Sequence, residues 1–228
     1  MTDTQKPFHI VFLLFDGITQ LDFTGPAQFL ARMPGAVVHT AAKRIQPIET
    51  DSGFAILPNC SFADCPQADL LCIPGGFGTR DVIADAETLQ FIRDQAAGAQ
   101  YITSVCTGSL ALGAAGLLEG KRATSHWAYI SLLERFGATH EKARVVKDGN
   151  IITAGGVTSG IDFALVVIAE IAGQKFAESV QLGLEYDPHP PFHSGHPDVA
   201  DPERVALLRE RSYDAVLANL AEIIPLRS

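Results

Sequence analysis

The segment Tyr101-Ile102-Thr103-Ser104-Val105-Cys106-Thr107-Gly108-Ser109-Leu110 predicts a buried β-strand that passes directly into a helix. Aromatic and β-branched residues before the cysteine favour the strand, and the small and apolar residues after it favour a buried helix. A cysteine at this junction takes the position that serine occupies in a nucleophile elbow, with Gly108 allowing close packing. The segment therefore predicts a nucleophile elbow at Cys106.

Cys106 would stand at the N-terminus of the predicted helix, where unpaired N–H groups and the helix dipole favour a negative charge. Both effects favour the thiolate, which is the nucleophilic form of cysteine. The alternative is a small buried residue without a chemical role, since free cysteine is among the most buried residue types. Thr107 follows directly, and its N–H and hydroxyl either face the same site or only begin the helix.

Strand-like and helix-like segments alternate along most of the 228 residues. This alternation predicts an α/β fold, with a parallel sheet sandwiched by helices in one domain over residues 1–228. The pattern further predicts, in chain order, a strand at 8–15, a helix at 26–33 capped by Thr24, a helix at 107–118 and, as a C-terminal helical extension, an amphipathic helix at 202–220.

Composition and charge exclude several classes of protein. Hydrophobic residues make up 47% of the chain and charged residues 19%, which is typical of a well-packed globular protein. A formal net charge of −9 argues against binding to nucleic acid or to anionic membranes. Without a signal-peptide pattern or an apolar run long enough for a membrane helix, we expect a soluble, cytoplasmic protein. Four cysteines in a chain of this length do not predict a disulfide framework.

Four loops should meet at the carboxyl ends of the central strands, where ligands bind in an open α/β sheet. They are the segments 16–22, 74–78, 106–107 and 155–158. Asp22 stands out among them because it lies in an apolar stretch, where an aspartate either caps a helix or acts as a buried acid or base. Burial beside a thiolate would raise the pKa of Asp22, which could then hold the proton that Cys106 lacks.

Two further elements could complete this pocket. The turn Gly75-Gly76-Phe77-Gly78 can direct consecutive N–H groups at a developing oxyanion, or it can be a plain turn. His126 either pairs with Cys106 in a Cys–His dyad or is a structural histidine with a backbone partner, which is the interpretation that we favour.

His189, His193 and His196 lie in a loop rich in proline, without the fixed spacing of a zinc site. No acidic or cysteine ligand stands out beside them. We therefore interpret them as surface residues and predict no metal site.

Several segments together resemble the ThiJ/PfpI superfamily and, within it, the isocyanide hydratase group. The resemblance spans nearly the whole chain and rests on Phe12-Leu13-Leu14-Phe15, Gln20-Leu21-Asp22-Phe23-Thr24-Gly25-Pro26, Ser61-Phe62-Ala63-Asp64-Cys65-Pro66, Ile73-Pro74-Gly75-Gly76, Thr103-Ser104-Val105-Cys106-Thr107-Gly108-Ser109, Gly160-Ile161-Asp162-Phe163-Ala164-Leu165 and Leu184-Glu185-Tyr186. It implies a flavodoxin-like α/β fold with the cysteine on a strand–helix elbow. It also implies that Cys106 is the nucleophile, Asp22 the general acid and base, and Thr107 a neighbour that the site requires.

Most of the superfamily carries glutamate where this chain has Asp22. The shorter side chain fits the hydratase group, which implies conversion of a small-molecule isocyanide and water to an N-substituted formamide through a cysteine thioimidate, without a cofactor. The pocket residues that would bind the substrate are Gly75, Gly76, Phe77, His126 and Val157. Of these, Phe77 and Val157 lie in segments that vary within the group.

Other interpretations of the same residues stay open. One is an amidase or deglycase of the same superfamily that uses Cys106 and His126, and another is a redox sensor in which Cys106 is oxidised reversibly. A third is a ligand-sensing regulator, against which the acidic chain and its single terminal helix argue, because they leave no DNA-binding region. Apolar faces on the C-terminal helix and on the 46–57 segment indicate a homodimer.

Overall fold

Strands and helices alternate along residues 6–224, the part of the chain that this computed structural model describes. The strands are β1 (Phe8–Leu13), β2 (Ala36–Ala42), β3 (Ile48–Glu49), β4 (Ala55–Ile56), β5 (Cys60–Ser61), β6 (Leu70–Ile73), β7 (Tyr101–Val105), β8 (Arg122–Ala123), β9 (Thr139–His140), β10 (Val145–Asp148) and β11 (Ile151–Ala154). The helices are α1 (Gln20–Leu30), α2 (Thr79–Ala84), α3 (Ala86–Gly98), α4 (Gly108–Ala114), α5 (Ser159–Ala172), α6 (Gln174–Gly183), α7 (Pro202–Leu208) and α8 (Asp214–Ile223), with a 3₁₀ helix at Ile130–Phe136 and a π-helical turn at Arg209–Tyr213.

Seven of these strands form one sheet, in the order β10-β11-β7-β6-β1-β2-β5. Neighbouring strands run parallel, except that β10 and β11 form an antiparallel hairpin at one edge. The short pairs β3–β4 and β8–β9 lie outside this sheet. The predicted flavodoxin-like α/β fold, with a mostly parallel sheet between helices, is therefore confirmed.

Helices cover both faces of the sheet because its central strands are apolar on both sides. On β1, Ile10 and Phe12 pack into the core formed with α1, α5 and α6, which includes Phe163. Val11 and Leu13 alternate with them and join the other core, which includes Leu110 of α4 together with residues of α2 and α3. None of the helices described within residues 6–224 has the length and apolar character needed to span a membrane.

The helix predicted at 26–33 begins earlier in the structure, at Gln20, and ends at Leu30. Thr24 does not cap it, because the Thr24 hydroxyl lies inside the helix and donates to the Gln20 carbonyl at 3.0 Å. The predicted Thr24 cap is therefore wrong: proline is commonest in a first turn, and Pro26 made the helix seem to start there. The earlier start matters because it puts Asp22 in the first turn of α1.

Other elements also differ from the sequence pattern. The first strand ends at Leu13, and the helix after Cys106 ends at Ala114 rather than at 118, since Gly116 takes a left-handed conformation with a φ of 83°. The single helix predicted at 202–220 is divided into α7 and α8 by the π-helical turn, and α6 was not predicted.

The candidate site lies at the carboxyl ends of β1, β6, β7 and β11, which are neighbours in the sheet in the order β11-β7-β6-β1. The segments after these strands bring together Asp22, the glycine turn, Cys106 and Val157, as expected for an open α/β sheet. The sheet topology thus confirms that four loops distant in sequence meet at one place.

Candidate active site

Cys106 lies at the sharp turn between β7 and α4, in a conformation that few L-residues adopt. Its φ of 58° is left-handed, and its N–H donates to the carbonyl oxygens of Ala154 at 3.1 Å and Gly155 at 2.9 Å. A Cβ at Gly108 would overlap the carbonyl oxygen of Ile73, so only glycine lets the helix approach the neighbouring strand this closely. The predicted elbow and the packing role of Gly108 are confirmed.

Burial controls the protonation of the Cys106 thiol. Cys106 is only 5% exposed, and this burial, followed by the charge of Asp22, raises the pKa of the thiol well above its ordinary value. Hydrogen bonds from the N–H groups of Val157 and Thr107 oppose the rise. The amides near the helix N-terminus favour the thiolate, as predicted, but burial outweighs them and the pKa of the thiol is raised on balance.

Asp22 is fully buried beside the cysteine. Its Oδ2 accepts a hydrogen bond from the Gly75 N–H at 2.9 Å, so the carboxyl group joins α1 to the glycine turn and does not cap α1. Burial raises the pKa of Asp22 from 3.8 to about 7, although interactions with the Gly75 amide and the Cys106 thiol lower it. The buried-acid interpretation is the one that this geometry supports.

Asp22 and Cys106 titrate as one coupled unit. Because burial raises the pKa of both groups, the pair loses its first proton at a higher pH than an exposed carboxyl group would and resists the loss of a second. The singly ionised pair exists either as thiol with carboxylate or as thiolate with carboxylic acid, and the second form is the reactive one. One ionisation thus supplies both a nucleophile and a proton donor.

The glycine turn positions other site residues and does not present free N–H groups at Gly75 and Gly76. Gly75 donates to Asp22, and Gly76 donates to the Thr107 hydroxyl at 3.0 Å. That hydroxyl also bonds to the Thr79 hydroxyl at 2.8 Å. Since each N–H is a single donor, the prediction that these two amides serve a substrate oxyanion is wrong. Thr107 is more than an ordinary helix start, because its hydroxyl ties the turn to the elbow.

Phe77, Val157 and His126 line the cavity that contains Cys106. Phe77 is 58% exposed, and Val157 has a φ of 20°, which is unusual for a β-branched residue. His126 is buried, its Nδ1 accepts from the Ala128 N–H at 3.3 Å, and burial lowers its pKa to about 4. The structure therefore favours the structural histidine with a backbone partner over the Cys–His dyad.

The cavity above Cys106 has a volume of about 210 Å³ and is mostly apolar. The sequence pattern did not indicate the residues that enclose it, namely Tyr129 and, from the C-terminal helical segment, Tyr213, Val216 and Leu220. The amphipathic pattern at 202–220 was a signal that this helix packs on something. It contained no information about which surface the helix covers.

Arg135 holds the C-terminal helix over the cavity. Its Nη1 donates to the carbonyl oxygens of Ala221 at 2.6 Å and Ile224 at 2.8 Å. Carbonyl groups in the last turn of a helix have no partner within that helix, so the guanidinium satisfies them. Leu220 and Ile224 are buried in the same core as α4, which makes α8 a packed wall of the site.

His189, His193 and His196 lie on the surface, as predicted. Nδ1 of His196 is 3.3 Å from Oδ2 of Asp198, and both side chains are half exposed. Within residues 6–224, no group of three or more His, Cys, Asp or Glu side chains is arranged to hold a metal ion.

Comparison with protein families gives a match over most of the fold. The sequence profile of the DJ-1/PfpI family matches residues 8–170, from β1 into α5. The chain belongs to the DJ-1/PfpI family. Tyr213, Val216 and Leu220 lie beyond the part that the DJ-1/PfpI profile covers, although they enclose the site.

Individual members of the DJ-1/PfpI family agree with this assignment. A curated relative from Pseudomonas putida, named isonitrile hydratase, is 53% identical over 203 residues, which cover 89% of each chain. The crystal structure of a ThiJ/PfpI family protein from Pseudomonas syringae has a TM-score of 0.89 at 42% identity, covering 97% of both chains. DJ-1beta of Drosophila melanogaster has a TM-score of 0.70 at 27% identity, covering 78% of this chain and 98% of its own.

Proposed function

We propose that this protein hydrates isocyanides to N-substituted formamides, with Cys106 as nucleophile and Asp22 as general acid and base. The observation that carries the proposal is the interaction between a buried carboxyl group with a pKa of about 7 and a cysteine on an elbow. The relative named isonitrile hydratase, 53% identical to this chain, supports the same reaction. The small, mostly apolar cavity suits a compact hydrocarbon substituent on the isocyanide nitrogen.

In the first step, the Cys106 thiolate attacks the terminal carbon of the isocyanide. A C–S bond forms, one π bond opens onto nitrogen as a lone pair, and the lone pair already on carbon takes the proton of Asp22. The products are a thioimidate on Cys106 and a carboxylate at Asp22. The N–H groups of Thr107 and Val157 bind the sulfur and orient it for the attack.

In the second step, the Asp22 carboxylate takes a proton from water, and the water oxygen bonds to the thioimidate carbon. The C=N π electrons move to nitrogen, which then takes the proton from Asp22. The new hydroxyl group returns a proton to the carboxylate while a C=O bond forms and the C–S bond breaks. An N-substituted formamide leaves, and thiolate and carboxylic acid are restored, so the cycle requires no cofactor.

The alternative functions receive less support from the site. A dyad enzyme of the amidase or deglycase type needs His126 as a base at Cys106, but the ring is bonded through Nδ1 to the Ala128 amide. A redox sensor needs an accessible cysteine of low pKa, whereas Cys106 is buried and the pKa of its thiol is raised.

The test is formation of formamide from a panel of aryl and alkyl isocyanides, followed by chromatography and by loss of the isocyanide infrared band. We expect one formamide for each isocyanide consumed, and a transient protein adduct that is heavier by the whole isocyanide. Absence of formamide from every isocyanide, together with turnover of an amide or a glycated substrate, would exclude the proposal in favour of the dyad enzyme.

We also propose that the enzyme is a homodimer, as the sequence predicts. Exposed apolar side chains support this, among them Leu182, Phe192, Leu207 and Leu208.

A cytoplasmic location stays a prediction from the sequence. The four cysteines, Cys60, Cys65, Cys72 and Cys106, are free thiols.

Gly75→Ala is expected to lower kcat/KM for hydration about 100-fold and the free energy of unfolding by about 1–3 kcal/mol. A Cβ at Gly75 would lie 2.5 Å from both the N and Oγ1 atoms of Thr107, and 3.0 Å from Oδ2 of Asp22. The methyl group must therefore displace the acid and the residue that follows the nucleophile. Steady-state kinetics and urea unfolding measure the two effects.

The matched control is Gly183→Ala, because a Cβ at Gly183 would meet no heavy atom within 4 Å. This variant should retain wild-type kinetics and stability. Equal losses in both variants would show that the effect at Gly75 does not arise from the contacts with Asp22 and Thr107.

A further inference from the structure

Asp51 puts a single negative charge at the rim of the cavity that contains Cys106. Both residues line this cavity, but Asp51 is exposed to solvent whereas Cys106 is buried at the cavity floor. Among the cavity residues within 6–224, Asp51 alone is charged at neutral pH, because burial lowers the pKa of His126 to about 4. The rim of the cavity therefore has a fixed sign of charge.

Hydrogen bonds hold the Asp51 residue in this position. Its N–H donates to the Ile18 carbonyl at 3.0 Å, and its Oδ1 accepts from the Ser52 hydroxyl at 3.1 Å and from the Gln20 N–H at 3.4 Å. Gln20 begins α1, the helix that carries Asp22. None of the salt bridges formed within residues 6–224 involves Asp51, so no basic side chain there neutralises the carboxylate.

The reaction directs one end of the substrate toward this charge. The isocyanide carbon must reach Cys106, and the isocyanide group is linear, so the substituent on nitrogen extends away from the sulfur toward the rim. Because the cavity wall is mostly apolar, it focuses the field of the carboxylate within the cavity. A substituent that ends in a cation is attracted there, and one that ends in an anion is repelled.

We propose that Asp51 is a specificity-determining residue that selects isocyanides by charge, favouring cationic over neutral and neutral over anionic substituents. This inference rests on the proposed hydration and names its substrate class: isocyanides whose substituent is a hydrocarbon or ends in an ammonium group, rather than isocyanides that bear a carboxylate. The charge of Asp51 also helps to raise the pKa of Asp22. That effect is common to all substrates, so the ratio of kcat/KM between two substrates isolates the selection by charge.

Three propyl isocyanides of matched shape test the proposal, ending in a dimethylammonium, an isopropyl or a carboxylate group. At low ionic strength we expect kcat/KM of the wild type to be about tenfold higher for the cation than for the anion, with the neutral compound between them. Asp51→Asn should bring this ratio to within about twofold of one. Salt at about 1 M, where the screening length is about 3 Å, should lower the wild-type ratio in the same way.

Two further variants serve as controls. Asp94→Asn removes the same charge from an exposed position near the end of α3, which leads to the amino end of β7 and so lies at the opposite edge of the sheet from Cys106. It should keep the wild-type ratio. Asp51→Glu retains the charge at the rim and should keep most of the preference for the cation. Because Asp51 and Asp94 are both exposed, we expect the melting temperatures to stay unchanged.

Several outcomes would overturn the assignment of Asp51. They are a wild-type ratio within about twofold of one, a wild-type ratio that persists in Asp51→Asn, and an equal loss of the ratio in Asp94→Asn, which would point to the net charge of the chain. If Asp51→Asn lowers the melting temperature, Asp51→Glu decides, and loss of the ratio there as well would overturn it. If the wild type forms no formamide even from the neutral compound, the proposed hydration itself fails, and this is seen without any variant.

Discussion

Asp22→Asn is expected to lower kcat/KM for isocyanide hydration at least about 1,000-fold, since both proton transfers of the cycle pass through this carboxyl group. The amide has nearly the same size and can still accept the hydrogen bond that Gly75 donates to Oδ2 at 2.9 Å. It can neither protonate the isocyanide carbon nor take a proton from water. The loss should therefore appear in the rate constants of both adduct formation and adduct hydrolysis.

The same substitution should stabilise the folded protein at alkaline pH. Folding raises the pKa of Asp22 from 3.8 to about 7, so the native state holds a proton that the unfolded chain releases between these values. The resulting destabilisation is absent below about pH 4, grows as the pH rises to 7, and is complete above it. A pKa rise of this size corresponds to a loss of at most roughly 4 kcal/mol in the free energy of unfolding. The asparagine variant avoids this loss, although it bears the cost of burying its own amide.

Urea unfolding at pH 4.5 and pH 8 measures this effect, with Asp81→Asn as the control. The Asp81 side chain is 86% exposed, and its substitution should change neither activity nor the pH dependence of stability. A stability difference between Asp22→Asn and the wild type that is the same at both pH values would contradict the buried acid. Retained hydration would instead point to the dyad mechanism through His126.

Cys106→Ala is expected to reduce hydration to the uncatalysed background, a loss of at least about 10,000-fold, because removal of a nucleophile ends covalent catalysis. Cys106→Ser should be almost as inactive, since a serine hydroxyl beside Asp22 does not ionise near neutral pH. Neither variant should form a protein adduct with the isocyanide. Alanine also removes one of the groups that lower the pKa of Asp22, so the carboxyl should titrate at a higher pH in this variant.

Cys65→Ser is the matched control, because Cys65 is a second, partly exposed free thiol far from the elbow in sequence. It should retain wild-type turnover and adduct formation. Wild-type rates of hydration in Cys106→Ala would rule out covalent catalysis. A loss of equal size in Cys65→Ser would show that the thiol chemistry is not confined to Cys106.

The elements that the sequence predicts best are those specified by local pattern. The run at β7 and the small residues after it predict both the strand and the elbow at Cys106. The apolar run at 8–15 predicts the strand that the structure has as β1, which is buried on both faces. Helix boundaries are less well specified, because a proline inside α1 resembles a proline at a helix start.

The position of α8 over the candidate site could not be predicted from these patterns. An amphipathic helix at 202–220 must bury its apolar face, but periodicity does not say against what. In the structure Arg135 binds the last turn of α8, and this contact joins residues 86 and 89 positions apart in the sequence. Contacts of that range depend on how the whole chain packs.

By itself, the sequence determined the α/β architecture, the elbow at Cys106 and the pairing of a cysteine with Asp22, because these follow from strand periodicity, glycine placement and residue type. Only the tertiary structure decided the protonation of the pair, which burial sets against the helix N-terminus. It also decided that Gly75 and Gly76 bind protein groups. The reason is that desolvation and hydrogen-bond partners come from residues brought together by folding, whereas local conformation is encoded by neighbours along the chain.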